Sequence, residues 1–162
     1  NIEGVLISLS EKLVFEPGTT NLSSDAYPVL DTIAGMIRTI ENNIRLVGHT
    51  DDTPPIDPQY SNSFELSMAR AMIVAEYLMS KGIAPERMTI SGRGQYEPVF
   101  PNDSAQHRSM NGRVDITVVY TVDNKVIGDD IIDISTTIDT SVLPDVNAVE
   151  PSSSEASTGG NH

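Results

Sequence analysis

The sequence predicts an α/β sandwich: one mixed sheet packed against helices, in the order β-α-β-α-β-β. Three observations lead there. Segments 5–15, 44–48, 88–91 and 114–122 are short, apolar or alternating, as strands are. Two longer stretches between the first three repeat their apolar residues every three or four positions, as one face of a helix does. Strands that alternate with helices place a sheet on one side of a single core, and 162 residues with 38% hydrophobic content suffice for one such core.

Val5 to Phe15, "VLISLSEKLVF", alternates in part and predicts the first strand, followed by the turn residues of "EPGTTNLSS". Ser23 or Ser24 is placed to cap a helix with Val29, Leu30, Ile33, Ala34, Ile37 and Ile40 on its apolar side, ended by Asn42 and Asn43. Ile44 to Gly48 is too short for a helix and predicts a second strand, which empties into "HTDD" and a loop running through "TPPIDPQYSNS". From Phe64 a second helix places Leu66, Ala69, Ile73, Val74, Tyr77 and Leu78 toward the core and closes at Gly82. Met88 to Ser91 predicts the third strand, "AQHRSM" a helical turn, and Val114 to Val122 the last strand.

The texture changes near Asp123. The 123–162 segment carries eight acidic residues against one Lys and ends in Ser, Gly and Asn. Such a composition buries too little apolar surface to offset its ordering entropy, so it predicts a disordered acidic tail after a 1–122 domain, with "VIGDDIIDIS" as its one candidate strand.

Charge and composition exclude whole classes of function. A formal net charge of −13 at pH 7 argues against nucleic acid as a partner, because backbone recognition needs clustered Lys and Arg. With no cysteine there are no disulfides, thiolate zinc sites or thiol nucleophiles. No window approaches a membrane span, and the start, "NIEGVLISLS", lacks the layout of a signal peptide. The chain therefore reads as a piece of a longer protein whose anchor or export signal lies upstream.

The stretch richest in chemistry is "LVGHTDD", 46–52. A metal site there needs three or more ligands, and the sequence offers His49, Asp51 and Asp52 with only distant His107 and His162. No "GxSxG" elbow supports a Ser-His-Asp enzyme. The alternative is a polar turn closed by His49 and Asp51. A second stretch, "SNSFELSMARA", places Arg70 in the early turns of a helix, leaning back toward the loop that carries Asp51. The two side chains then face either one pocket or simply each other, as a salt bridge.

"VGHTDD", "ELSMARAMIVAEYLMSKGI" and "ISGRGQYEPVFPNDSAQHRSMNGRVDI", in that order over 44–116, resemble the OmpA-like peptidoglycan-binding domain, whose pattern runs GHTD, LSxxRAxxVxxYL, GxGxxxP and N(R)RV. "GVLISLSEKLVFEPGTTNLS" and the "TPPIDPQYSNSFELS" insertion more closely resemble its MotB/PomB branch, the wall-anchoring subunits of flagellar motor stators. The resemblance implies an OmpA-C-like fold, no catalysis and no cofactor. It implies peptidoglycan as ligand, bound at the free amino-acid end of stem-peptide diaminopimelate. That end is a zwitterion, which calls for a carboxylate and a planar cation. Asp51 and Arg70 match the family's pair, and backbone N–H groups at the helix start would reinforce the anion side. Thr50, Leu66, Arg108 and Arg113 are the further candidates, together with Asn62 and Ser63; Gly48 is expected to permit close backbone approach. Two departures stand out: Ser63 takes the place where the family pattern has Asn, with Asn62 displaced by one, and Gly112 replaces one Arg of the NRRV element.

The resemblance further implies the periplasmic domain of an inner-membrane-anchored protein, a homodimer, and a MotA-like membrane partner reached through an upstream helix. Porins, lipoproteins and secretion-system subunits are alternative hosts. Two rival readings are a zinc-dependent cell-wall hydrolase using His49 and Asp51, and an assembly domain in which Asp51 and Arg70 only pair with each other.

Overall fold

The computed structural model describes residues 3–120. Four strands, β1 (Glu3–Ser10), β2 (Ile44–His49), β3 (Met88–Gly92) and β4 (Arg113–Tyr120), form one mixed sheet in the order β1-β4-β2-β3. Strand β4 runs antiparallel to both β1 and β2, while β2 and β3 are parallel, which a helical crossover permits. Four helices complete the fold: α1 (Glu11–Val14), α2 (Ala26–Arg38), α3 (Ser63–Ser80) and α4 (Ala105–Asn111). The expected α/β sandwich is the one observed, with α4 where "AQHRSM" predicts a helical turn and α1 added to the expected order. None of these helices is long and apolar enough to cross a membrane.

Register aligns the core. Ile7, Ile116, Leu46 and Ile90 form one row across the sheet, and Val118, Ile44 and Met88 lie in the next. Ile44, Leu46 and Ile116 are fully buried under Leu30, Ile33, Ala34 and Ile37 of α2 and Val74, Ala75 and Leu78 of α3. The third row runs Leu9, Val114, Gly48, Gly92. There the sheet has no side chains on its β2–β3 side, and α3 sits directly upon the backbone. A Cβ on Gly48 would lie 1.9 Å from the Ser67 carbonyl oxygen, and one on Gly92 would lie 2.5 Å from the Met68 nitrogen. The buried side of α3 is accordingly small where it meets these glycines, with Ser63, Ser67, Ala71 and Ala75 at four-residue intervals.

Several boundaries differ from the sequence reading. The first strand ends at Ser10, whose hydroxyl accepts the Leu13 N–H, so that 11–14 turns as α1 and does not extend the strand. Neither Ser23 nor Ser24 caps α2: Asp25 holds the cap position without a side-chain bond, and the Ser23 hydroxyl donates to the Leu13 carbonyl. Helix α2 stops at Arg38, leaving Asn42 free to donate to the Val119 carbonyl. Ala69 is half-exposed on the outer side of α3, and Ser67 takes the buried position. Gly82 does close α3, at φ 98°, where only glycine is unstrained. The acidic 123–162 segment, its candidate strand included, lies outside the described residues.

Candidate functional site

Helix α3 begins at Asn62, whose side chain accepts the Glu65 N–H, while the Glu65 carboxylate accepts the Ser61 N–H. This reciprocal cap fixes where the first turn starts. Glu65 is held below the usual carboxylate range, first by that Ser61 backbone hydrogen bond. Ser67, one turn on, accepts the Gly94 N–H, and the Gly94 carbonyl accepts the Thr50 N–H. The end of β2, the loop after β3 and the first turns of α3 are thereby tied together. Asn62 and Ser63 act in this framework: Asn62 as the cap, Ser63 packed against Gly94 at φ +60°.

Leu66 and Arg70, four residues apart on one side of α3, face a cleft of about 200 Å³ whose other walls include Glu11, Thr50 and Asp51, with 53–56 at the rim. Asp51 accepts the Thr53 N–H at 2.8 Å and makes no bond to Arg70. The expected pair of opposite charges thus lines one cleft, each with other partners. Arg70 is 6% exposed. Its Nη1 donates to Glu11 Oε2 at 2.6 Å, its Nη2 reaches the Thr19 carbonyl at 3.4 Å, and its guanidinium lies 5.3 Å from the centre of the Phe15 ring. Its buried Nε has no hydrogen-bond partner among the described residues. The Glu11–Arg70 pair also borders a second hollow of about 310 Å³, on the side of Phe15 and Pro17. Glu11 was not among the candidates. Read as part of an alternating strand it has no reason to face Arg70; the α1 turn brings it there.

Arg108 and Arg113 do not line this cleft. Arg108 donates to Asp52 Oδ1 and to the Asn102 carbonyl, each at 2.8 Å, and so joins α4 to the loop after β2. Arg113 is the first residue of β4 and points, with Asp115, to the face of the sheet away from the α3 side. It donates to Asp115, the Asn111 carbonyl and the Glu97 carbonyl. His49 shares that face. It lies 3.4 Å from Asp115 and is not part of the cleft that holds Asp51. Among the described residues no group of three or more His, Asp or Glu side chains is arranged to hold a metal ion.

Asp115 gathers these groups. Burial alone pushes its carboxyl up, yet hydrogen bonds from His49 and Ser8 and the charge of Arg113 together hold it below its ordinary value. Asn111 is a second anchor that the sequence reading did not single out. Fully buried, it accepts the Val99 and Phe100 N–H groups and donates to the Phe100 carbonyl and to Asn102, fixing the loop before α4. Gly48 permits the expected close backbone approach, and the backbone it admits is that of α3.

Against known proteins, the model of the OmpA family matches residues 14–112. Motility protein B of Helicobacter pylori is 32% identical over 117 residues, covering 70% of this chain and 46% of that protein. Peptidoglycan-binding protein ArfA of Mycobacterium tuberculosis is 30% identical over 93 residues, covering 57% of this chain and 27% of that protein. The chain spans about half the length or less of these curated relatives. The crystal structure of the periplasmic domain of Helicobacter pylori MotB superposes with a TM-score of 0.71 at 28% identity, over 88% of each chain.

Proposed function

Because the chain belongs to the OmpA family, we propose that it is a noncatalytic peptidoglycan-binding module that grips the stem peptide, through its diaminopimelate, in the Asp51–Arg70 cleft. One observation carries the reading: two opposite charges, delivered by the end of β2 and an early turn of α3, line a single cleft of about 200 Å³ without bonding to each other. Asp51 takes the ammonium of the diaminopimelate side-chain end. The adjoining carboxyl group lies toward Arg70, and Leu66 contacts the methylenes between. The relative named as peptidoglycan-binding supports this ligand.

The host we propose is a MotB-like stator subunit. The chain would be its periplasmic domain, anchored in the inner membrane, paired as a homodimer and joined to a MotA-like partner. The motility relative and the MotB periplasmic structure support this host.

The test is co-sedimentation with purified peptidoglycan, with thermal melts alongside. Asp51→Asn removes the charge from a side chain that, among the described residues, bonds to a loop N–H alone, so it should melt like wild type. Hydrogen bonds to charged groups contribute about 1.5–3 kcal/mol, so its binding should fall about tenfold to over a hundredfold. Wild type that fails to pellet, or Asp51→Asn that pellets equally well, would overturn the assignment.

A further inference from the structure

Deepening the peptidoglycan-binding reading and resting on it, we infer that Glu11 sets the ligand specificity of the cleft. Its carboxylate already occupies Arg70 from within the protein, so the cleft binds a stem-peptide residue chiefly through the ammonium. It favours a residue whose adjoining carboxyl group is neutralised as an amide over one with a free carboxylate.

The geometry of the guanidinium comes first. A ligand carboxylate is held best when both its oxygens meet two parallel N–H groups. Here Nη1 is taken by Glu11 at 2.6 Å, Nη2 is turned to the Thr19 carbonyl, and Nε is buried. The Arg70 side chain is 8% exposed and that of Glu11 24%, so the carboxylate is the more accessible half of the pair. A ligand carboxylate must therefore share Nη1 and Nη2 with Glu11 and the Thr19 carbonyl.

The charges agree. Three charged side chains line the cleft, Glu11, Asp51 and Arg70, and the single cation is matched by Glu11. Among the described residues the Asp51 carboxylate has a backbone N–H as its partner and faces no cation of its own. An incoming ammonium finds Asp51. An incoming carboxylate meets Glu11, and like charges brought together oppose binding. A carboxamide carries no charge to repel, and its oxygen can still accept from Arg70.

The place of Glu11 depends on Gly112. A Cβ at Gly112 would lie 2.3 Å from Glu11 Oε2 and 2.4 Å from Cδ, so the carboxylate fills the space that a side chain at 112 would claim. The backbone supports the arrangement, since the Glu11 N–H donates to the Gly112 carbonyl at 2.9 Å. Gly112 itself has φ −70°, a conformation open to any residue, so an added methyl there would act by pushing aside the flexible end of Glu11.

The experiment uses the whole 162-residue chain and two soluble muropeptides that differ only in whether the diaminopimelate carboxyl is free or amidated, with binding followed by calorimetry. Wild type should favour the amidated form by about tenfold, equivalent to about 1.4 kcal/mol. Glu11→Gln keeps an acceptor beside Arg70 without the charge, and Gly112→Ala displaces the charge without removing it. Both should reduce the preference to about twofold or reverse it, chiefly by tightening the free form, because the like-charge repulsion is then relieved. Should Glu11→Gln unfold, Gly112→Ala tests the same displacement. Wild type that prefers the free carboxylate, with Glu11→Gln weakening both forms, would overturn the inference and make Glu11 a support that orients Arg70. Binding of neither form by wild type would overturn the peptidoglycan reading as well.

Discussion

Gly48→Ala should loosen the joint on which the cleft is built. The added Cβ would stand 1.9 Å from the Ser67 carbonyl oxygen and 2.7 Å from its carbon, both backbone atoms of α3. Ordinary contact begins near 3.4 Å, so strand and helix must part by about 1.5 Å locally. Neither can yield alone, because β2 is hydrogen-bonded on both sides and α3 is anchored through Leu78 and Val74 in the core. Overpacking of this kind costs about 1–3 kcal/mol, and backbone on both sides argues for the upper half of that range. For a domain of this size each kcal/mol lowers Tm by about 4 °C, so a fall of about 8–12 °C is expected. Arg70 lies three residues beyond Ser67 and moves with it, so peptidoglycan binding should weaken at temperatures where the variant is still folded. The assays are a thermal melt and co-sedimentation at 10 °C. A melting temperature within about 2 °C of wild type would refute the reasoning, since overpacking of backbone on backbone cannot be that inexpensive.

Arg70→Ala should destabilise the fold by about 3–5 kcal/mol, because it strands the Glu11 carboxylate and uncovers Phe15; Arg70→Lys retains the ion pair and should melt closer to wild type while binding more weakly. Asn111→Ala leaves the Val99 and Phe100 N–H groups and the Phe100 carbonyl unpaired, and should cost about 2–4 kcal/mol in urea unfolding. Asp115 is held below its ordinary value in the fold, so its contribution is present above the usual carboxylate range and disappears as pH falls through the lowered value. Asp115→Asn should therefore be less stable than wild type at pH 7, and the gap should narrow in a melting series as pH falls below the ordinary carboxylate value; a gap constant with pH would count against that role.

Much of the fold was legible because its signals are local. The apolar spacing from Leu66 to Leu78 and the stop at Gly82 mark α3 within its own sequence, and the alternation of Ile44 and Leu46 fixes which face of β2 is buried. What escaped depends on partners remote in the chain. "SEKLVF" continues a strand on hydrophobicity alone, and only the Ser10 cap turns it into α1. Ser67 is a poor core candidate until Gly48 and Gly92, from two strands, are laid against it. Arg113 illustrates register. Starting the last strand at Val114 leaves Arg113 in a loop, free to approach a ligand, whereas starting it at Arg113 assigns it by parity to the Asp115 face.

The same reasoning explains why Asp51 and Arg70 could be paired from the sequence while Glu11 could not. Asp51 follows directly from the end of β2, and Arg70 is set by the phase of α3, so a single loop relates them. Glu11 reaches the cleft across 59 positions, through a one-turn helix and an empty site at Gly112. Yet it determines how much of Arg70 a ligand can use. Two carboxylates around one guanidinium make a different site from one carboxylate and one open guanidinium, although "GHTD" and "LSMARA" read the same in both. The discrimination between free and amidated ligands therefore rests on residues outside those motifs. Filling Gly112, which pushes aside only the flexible end of Glu11, should alter it with both motifs unchanged.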